Sequence, residues 1–378
     1  MLCRLQNGYL PALLIWLFLW PGLSSADVVK DLYEASVPVV SQSRAERQKA
    51  LQTALTEILV RVSGRQEIAS GLPLPEIEAA LMKPGRYTRQ FRYQRETLPP
   101  DVEGGEPQTS LVLLATFDQT AVDDLLRRSG LPIWGRTRPV TLVWLAIDDR
   151  GQRFLVSNND THIAHQLLMS KAERRGIPLR LPLMDLTDRS MVRLSDVWGN
   201  FEENIIKASQ RYQPDGILVG QVYQGFNGFW HARWTFHLQG RRYEWNKQGA
   251  VLAEVIDPGI DATADTLGQQ YAQYDNQNGS DNRAVRIEVN DVHGLADYNR
   301  IYAYLSRLSS VTAVEPSLVT ADKVLFRLKA QSDRLGVAQS ISLGHVLVAE
   351  PVQVAATPAS RSGEPAAANP DLIYRLLR

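Results

Sequence analysis

Segments with the 3.6-residue period of a helix and the two-residue period of a strand alternate in short runs along this chain. That alternation predicts an α/β fold with α+β character rather than a helical bundle or an all-strand sandwich. The first helix has the clearest signature. Ser43-Arg44-Ala45-Glu46 has the spacing of a capping box, in which the Ser43 hydroxyl accepts from the Glu46 amide and Glu46 reaches back to the Ser43 amide. Ala50, Leu51, Ala54, Leu55, Ile58, Leu59 and Val62 follow on one helical face, and Gly64 supplies the stop. Residues 28–40 read as extended and Pro75–Met82 as a short helix. Tyr87, Phe91 and Tyr93, alternating with Thr88, Gln90 and Arg92, predict a half-buried strand. Residues 96–109 are rich in Pro and Gly and predict an exposed hairpin loop. Leu111 to Phe117 is the next strand, and Thr120 opens a helix.

The pattern restarts at Pro139. Val140 to Ile147 is a continuous apolar strand stopped by Asp148-Asp149-Arg150-Gly151. Helices are expected over about 160–175, 201–212 and 260–274, with a short strand at 177–183. The clearest hairpin runs from Gly216 to Gln239 around Gly225-Phe226-Asn227-Gly228. A four-residue loop pairs Tyr223 with Trp230, Val219 with Trp234 and Ile217 with Phe236. Trp230, Trp234 and Phe236 then face the helices, and His231, Arg233, Thr235 and His237 share the opposite face. Residues 275–282 are wholly polar and read as a linker. Beyond them comes β-α-β-β-α, a ferredoxin-like order lacking its last strand, and Leu372 to Leu377 can supply that strand. The expected division is a leader at 1–26, α/β sandwich units at 27–135, 136–275 and 283–350, a linker at 276–282, a disordered loop at 351–370 and a final strand at 371–378. The first and third units share an element order without a residue-level repeat.

The N-terminus predicts the compartment. Arg4 is the first charged side chain and Asp27 the second; Leu10 to Leu19 is apolar apart from Pro11, and Ser24-Ser25-Ala26 follows Pro21-Gly22. The run is shorter than the roughly 20 residues of a spanning helix. It has the form of a cleaved secretory signal, with an uncleaved anchor or a buried first helix as the alternatives. Cleavage before Asp27 removes Cys3, the single cysteine, and leaves nothing to mispair in an oxidising periplasm. Cysteine chemistry is thereby excluded. Forty-one basic residues against 41 acidic ones give a formal charge of zero, which argues against nucleic acid as a partner.

Glu57-Ile58-Leu59-Val60-Arg61-Val62-Ser63-Gly64, Leu131-Pro132-Ile133-Trp134-Gly135, Val143-Trp144-Leu145-Ala146 and Asp215-Gly216-Ile217-Leu218-Val219-Gly220 occur in that order. Together they resemble an exported Gram-negative bacterial family classed only as a domain of unknown function. More distantly, the middle unit is similar to the N-terminal α/β module of the Tol-system propeller protein and to curli-export lipoproteins. Those share a helix, an Ala-Asp-X-hydrophobic-hydrophobic-X-Gly strand and a β-meander; here Pro214 replaces the Ala. The resemblance implies a periplasmic α/β architecture and brings no catalytic residues with it.

Candidate chemistry is sparse. His162 and His165 sit at i and i+3 after Asp160, but zinc needs a third ligand and no H-E-x-x-H occurs, so Asp160 or Thr161 is expected simply to cap a helix. Asp148 with Asp149 and Glu202 with Glu203 are adjacent and point apart, unlike a glycosidase pair. Motifs for nucleophilic serine, phosphate or dinucleotide chemistry are absent from the sequence. The eight tryptophans invite a carbohydrate-stacking reading, but Trp230 and Trp234 fall on the core face of the hairpin. Phe226 and Phe229 at its tip, with His231, Arg233 and His237 on its polar face, are the binding candidates. The expectation is a non-enzymatic accessory or assembly factor of the cell envelope, acting through envelope proteins, with no cofactor and no integral membrane segment after processing. The alternatives are a binding module for an envelope glycan or lipid-linked ligand, and a metal-dependent hydrolase built on His162 and His165.

Overall fold

The computed structural model describes residues 29, 31–98, 108–274, 284–308, 310–330, 334–344, 346–350 and 370–377. The expected leader and linker, the tip of the 96–109 loop and all of the 351–370 loop but its last residue lie outside the described residues. Helices and strands are mixed in three sheets, so the chain is of the α/β class.

The first sheet has the order β1-β3-β2, all antiparallel, from β1 (Glu34–Pro38), β2 (Thr88–Leu98) and β3 (Gln108–Phe117). Helices α1 (Arg44–Ser63), α2 (Pro75–Met82) and α3 (Gln119–Arg128) join it around a core that includes Leu32, Leu55, Ile58, Leu59, Leu113 and Phe117. The Ser43 hydroxyl does accept from the Glu46 amide at 3.2 Å, but the Ser43 amide goes to the Ser41 hydroxyl, so the reciprocal half of the box is replaced. Strand β2 is more exposed than its alternation suggests. It is the last strand of its sheet, and Phe91 stays 42% exposed.

The central sheet has the order β5-β4-β7-β8-β9, with β6 also paired to β4. Its strands are β4 (Thr141–Asp149), β5 (Gln152–Leu155), β6 (Leu179–Arg180), β7 (Gly216–Gln224), β8 (Trp230–Leu238) and β9 (Arg241–Gly249). Helices α4 (Ile163–Arg175) and α8 (Ala253–Tyr271) pack with one face; α5 (Leu186–Met191), α6 (Leu194–Trp198) and α7 (Glu202–Ser209) belong to the other. The uninterrupted apolar run of β4 follows from this. Val143, Leu145 and Ile147 enter the first core and Leu142, Trp144 and Ala146 the second, so neither face can be polar. Two features escape the local pattern. Arg150 and Gly151, at φ 50° and 90°, make a two-residue turn into β5. Helix α8 starts before Pro258 rather than after it, because Val255 and Ile256 are buried together with Ile260.

The hairpin register differs by one residue from the expected one. The pairs are Gln224 with Trp230, Tyr223 with His231, Gly220 with Trp234 and Leu218 with Phe236, around a five-residue loop from Gly225 to Phe229. The Trp234 ring decides this. It needs a partner without a side chain, since a Cβ on Gly220 would lie 2.5 Å from it. Gly216 gives Phe236 the same room, and the Asp215 carboxylate accepts from the Val140 amide at 2.7 Å. The Asp215–Gly220 motif is therefore structural. Trp230, Trp234 and Phe236 are buried with the helices as expected, but Tyr223, Val219 and Ile217 move to the opposite face.

The third sheet has the order β11-β12-β10-β14-β13. It comprises β10 (Ala284–Asn290), β11 (Val311–Val319), β12 (Lys323–Ala330), β13 (Leu347–Ala349) and β14 (Leu372–Leu376), with α9 (Leu295–Arg307) and α10 (Arg334–Ser342). The expected final strand is present as β14 and lies inside the sheet, parallel to β10 and antiparallel to β13. The short β13 is the element that the sequence pattern hides.

The first and central sheets are joined around Arg138, which is fully buried. Its Nε donates to Gly135 O, its Nη1 to Arg175 O and Gly176 O, and its Nη2 to Arg61 O and Trp134 O, at 2.8 to 3.1 Å. Trp134, expected in the first unit, is buried in the central core beneath this guanidinium, 4.0 Å from ring centre to Cζ. Gly64 and Gly268 let α1 and α8 touch beside it, with a Cβ on Gly64 only 2.8 Å from the Gly268 Cα.

Arg138→Met leaves the carbonyls around it without donors and is expected to cost about 3–5 kcal/mol in urea unfolding. Deleting residues 371–378 bares the β10 edge and removes β13's partner. Hydrogen exchange on the intact protein should show protected amides over Leu372–Leu376, and the truncated protein should aggregate or lose protection in β10.

Candidate functional site

Parallel strands β4 and β7 deliver their C-terminal ends to one end of the central sheet. The Arg150-Gly151 turn, the Gly225–Phe229 loop and the connection from β9 to α8 meet there, since Asp148 pairs with Tyr223 and Trp230 with Gly249. In sheets of this kind, the carboxyl ends of parallel strands are the usual place for a ligand or partner.

Four side chains from four elements line up on the polar face at this end. The Arg153 guanidinium of β5 lies 5.0 Å from the Trp198 ring at the end of α6. Trp198 meets Tyr223 of β7 edge-on at 6.3 Å, and Tyr223 stacks on His231 of β8 at 5.0 Å and 13°. Tyr223 is 41% exposed, and Arg153 and Arg233 are exposed. Beyond the ladder, Phe226 is fully exposed, with Phe229 and Val251 partly so. The loop carrying the two phenylalanines is organised rather than slack. Asn227 Oδ1 accepts from the Phe229 amide at 3.2 Å, and Gln224 Nε2 donates to Gly228 O at 3.0 Å. Arg153 also donates to Asp148 at 2.6 Å and, with the Gly151 amide, holds that carboxyl below the usual range.

The polar face is not uniformly solvated. Gln221 and Thr235 are buried beside α6 and α7; Gln221 Nε2 donates to Val197 O at 2.9 Å and Asn200 Nδ2 to Thr235 Oγ1 at 3.3 Å. Asn200 holds a left-handed φ of 53°, which an asparagine tolerates, where the chain turns from α6 into α7.

Of the sequence candidates, Phe226, Phe229, His231 and Arg233 gather at this end. His237 does not. It lies about 20 Å along the strand from His231, with Nδ1 3.3 Å from Glu202 and Nε2 buried without a hydrogen bond among the described residues. Burial pulls its pKa down, and Glu202 opposes that only in part. His162 is itself the N-cap of α4, its Nδ1 accepting from the Ala164 amide at 3.1 Å, so neither Asp160 nor Thr161 caps the helix. Asp160 instead accepts from the His162 amide at 3.0 Å, and the His162 ring packs edge-on against Phe154. Among the described residues no three His, Cys, Asp or Glu side chains are grouped to hold a metal.

Arg153, Trp198 and Tyr223 have no sequence signature as a site. Tyr223 is hidden by the one-residue register shift, and the other two come from elements far apart in the chain.

Residues 26–135, which hold β1–β3 and α1–α3, match a family described as a domain of unknown function (DUF8605). No curated protein matches the chain. A solved structure described as "Crystal structure of uncharacterized protein" is similar at 11% identity over 35% of this chain and 86% of that one, with a TM-score of 0.14, too low to carry an argument. Nothing in these matches bears on the Tol-system or curli likeness. Among the described residues no helix is long and apolar enough to cross a membrane.

His237 gives this face a pH dependence. Its pKa in the folded chain is lowered from 6.5, so its contribution to stability is full above that value and is lost as pH falls through the folded pKa. His237→Gln should lose less stability than the parent between pH 7.5 and 5.5, measured as the urea midpoint at each pH.

Proposed function

We propose that this protein is a periplasmic, non-enzymatic accessory or assembly factor of the cell envelope that acts through protein contacts. One observation carries the reading: an exposed aromatic and arginine ridge at the carboxyl end of the central sheet. Phe226 and Phe229 project from its tip, and Arg153, Trp198, Tyr223 and His231 form its flank. Tyrosine, tryptophan, phenylalanine and arginine are the residue types enriched where proteins bind one another. The polar groups here suit contact better than catalysis. A general acid or base needs a pKa near the working pH, whereas Asp148 is held ionised by Arg153. The apolar run Leu10–Leu19 followed by Ser24-Ser25-Ala26, which has the form of a secretory signal, supports the compartment.

The Trp198–Tyr223–His231 ladder also favours a second reading, an envelope glycan stacked on these rings between Arg153 and Arg233. One experiment separates the two. A photo-crosslinking residue at Val251 is expected to give discrete envelope-protein adducts that vanish on Phe226→Ser with Phe229→Ser. If no adduct forms but envelope oligosaccharides quench tryptophan emission, and Trp198→Phe removes the quenching, the glycan reading replaces the first.

A further inference from the structure

A second surface lies on the first sheet, far from the ridge in sequence and independent of it. Strand β2 has eleven residues, about twice the usual length. It pairs with β3 on one side and, among the described residues, is the last strand of its sheet on the other. Alternate backbone N–H and C=O groups along such an edge point away from the sheet, ready to pair with another chain.

The charged side chains on and just before the strand are cationic up to Glu96, the one acidic residue of β2, near its far end. Lys83, Arg86, Arg89, Arg92 and Arg95 occur with no acidic residue between Glu78 and Glu96. All four arginines are exposed, and none pairs with a carboxylate among the described residues. Their spacing of three on a strand of period two distributes them around the edge. Arg92 pairs across from Leu114 on the outer face; Arg95 shares the helix-side face with Tyr93 and Phe91, which sit opposite Leu113 and Ala115 of the core; and Arg89 occupies the bulge between Thr88 and Gln90. A strand laid against β2 would therefore meet guanidinium groups on both of its faces. Phe91 adds an apolar anchor, flanked by Tyr93 at 6.1 Å and by Arg47 of α1 at 5.5 Å from its ring centre.

Charged edges commonly serve to prevent pairing. Here the cationic excess, Arg89, Arg92 and Arg95 against Glu96, prevents some pairings and selects another. Two copies joined edge to edge would set arginines against arginines, which disfavours a second copy of this chain. An extended segment carrying carboxylates finds both free backbone partners and charge complements. We propose that the free edge of β2 is a strand-addition site for an extended, acidic segment of a partner protein.

The test uses the full chain and a blocked nonapeptide of alternating valine and glutamate as the probe. Two controls accompany it: the lysine counterpart, and the same acidic peptide N-methylated at alternate amides, which keeps its charge and loses its ladder. The acidic peptide is expected to slow exchange of alternate amides between Gln90 and Glu96. Binding should weaken about tenfold on Arg92→Glu with Arg95→Glu, and should survive Arg92→Lys with Arg95→Lys. N-methylation should weaken binding about as much. Phe226→Ser with Phe229→Ser should leave it unchanged, so failure of the ridge reading and failure of this one are distinguishable. Equal binding by the N-methylated peptide, displacement by an unrelated polyanion such as duplex DNA at matched charge, or no slowed exchange at millimolar peptide would each overturn the proposal. If the glutamate variant does not fold, the N-methylated peptide and the exchange map decide alone.

Discussion

Arg138 carries five N–H donors into a site without a carboxylate, and spends them on the carbonyls of Gly135, Arg175, Gly176, Arg61 and Trp134. Those carbonyls belong to the end of α1, to Trp134 and Gly135 in the segment between α3 and β4, and to the end of α4; helix ends leave backbone acceptors unsatisfied. One side chain thereby satisfies the ends of helices from two sheets. Burial lowers its pKa, and the nearby Arg61 and Arg175 push in the same direction. Each of these is tied down separately: Arg61 by Glu57 and by Glu34 O, Arg175 by Asp261 and Asp265. The arrangement is costly to disturb, because removing any donor leaves buried acceptors or a buried charge uncompensated.

The joint fixes α8 against α1, and α8 in turn fixes the sheet that bears the ridge. Trp234 packs between Gly220 of β7 and Gly259 of α8, and its Nε1 donates to Val255 O at 3.0 Å. With that ring in place the hairpin has one register, and Tyr223 and His231 come to lie side by side on the opposite face. The site's geometry is thus a consequence of packing on the far side of the sheet. The aromatic ladder is assembled by the core rather than by its own contacts.

Two surfaces of different chemistry result. The central-sheet end offers large rings with guanidinium groups beside them, while the β2 edge offers backbone hydrogen bonds framed by arginines. A chain whose formal charge is zero overall can still carry a cationic edge, because all but one of the acidic groups near that strand are placed elsewhere. An assembly factor can hold two partners, or two parts of one, on surfaces of such different character.

Local rules were sufficient for α1, with its Ser43 cap and Gly64 stop, for the long apolar β4, and for the burial of Trp230, Trp234 and Phe236; each depends on neighbours within a turn or a strand. The C-terminal strand was legible because β-α-β-β-α leaves a sheet position open. Its place between β10 and β13 was not, since strand order depends on which edges meet in space. The same holds for the site. Phe226, Phe229, His231 and Arg233 are within eight residues of one another and could be read from the hairpin alone. Arg153 and Trp198 join them only through the sheet order β5-β4-β7-β8, and Tyr223 only through a register set by the volume of a tryptophan against a glycine. Sequence by itself determined most of the longer elements, the faces of the long helix and the class of fold. Tertiary structure decided register, strand order and the company each polar side chain keeps, because those are set by contacts between residues that the chain brings together only on folding.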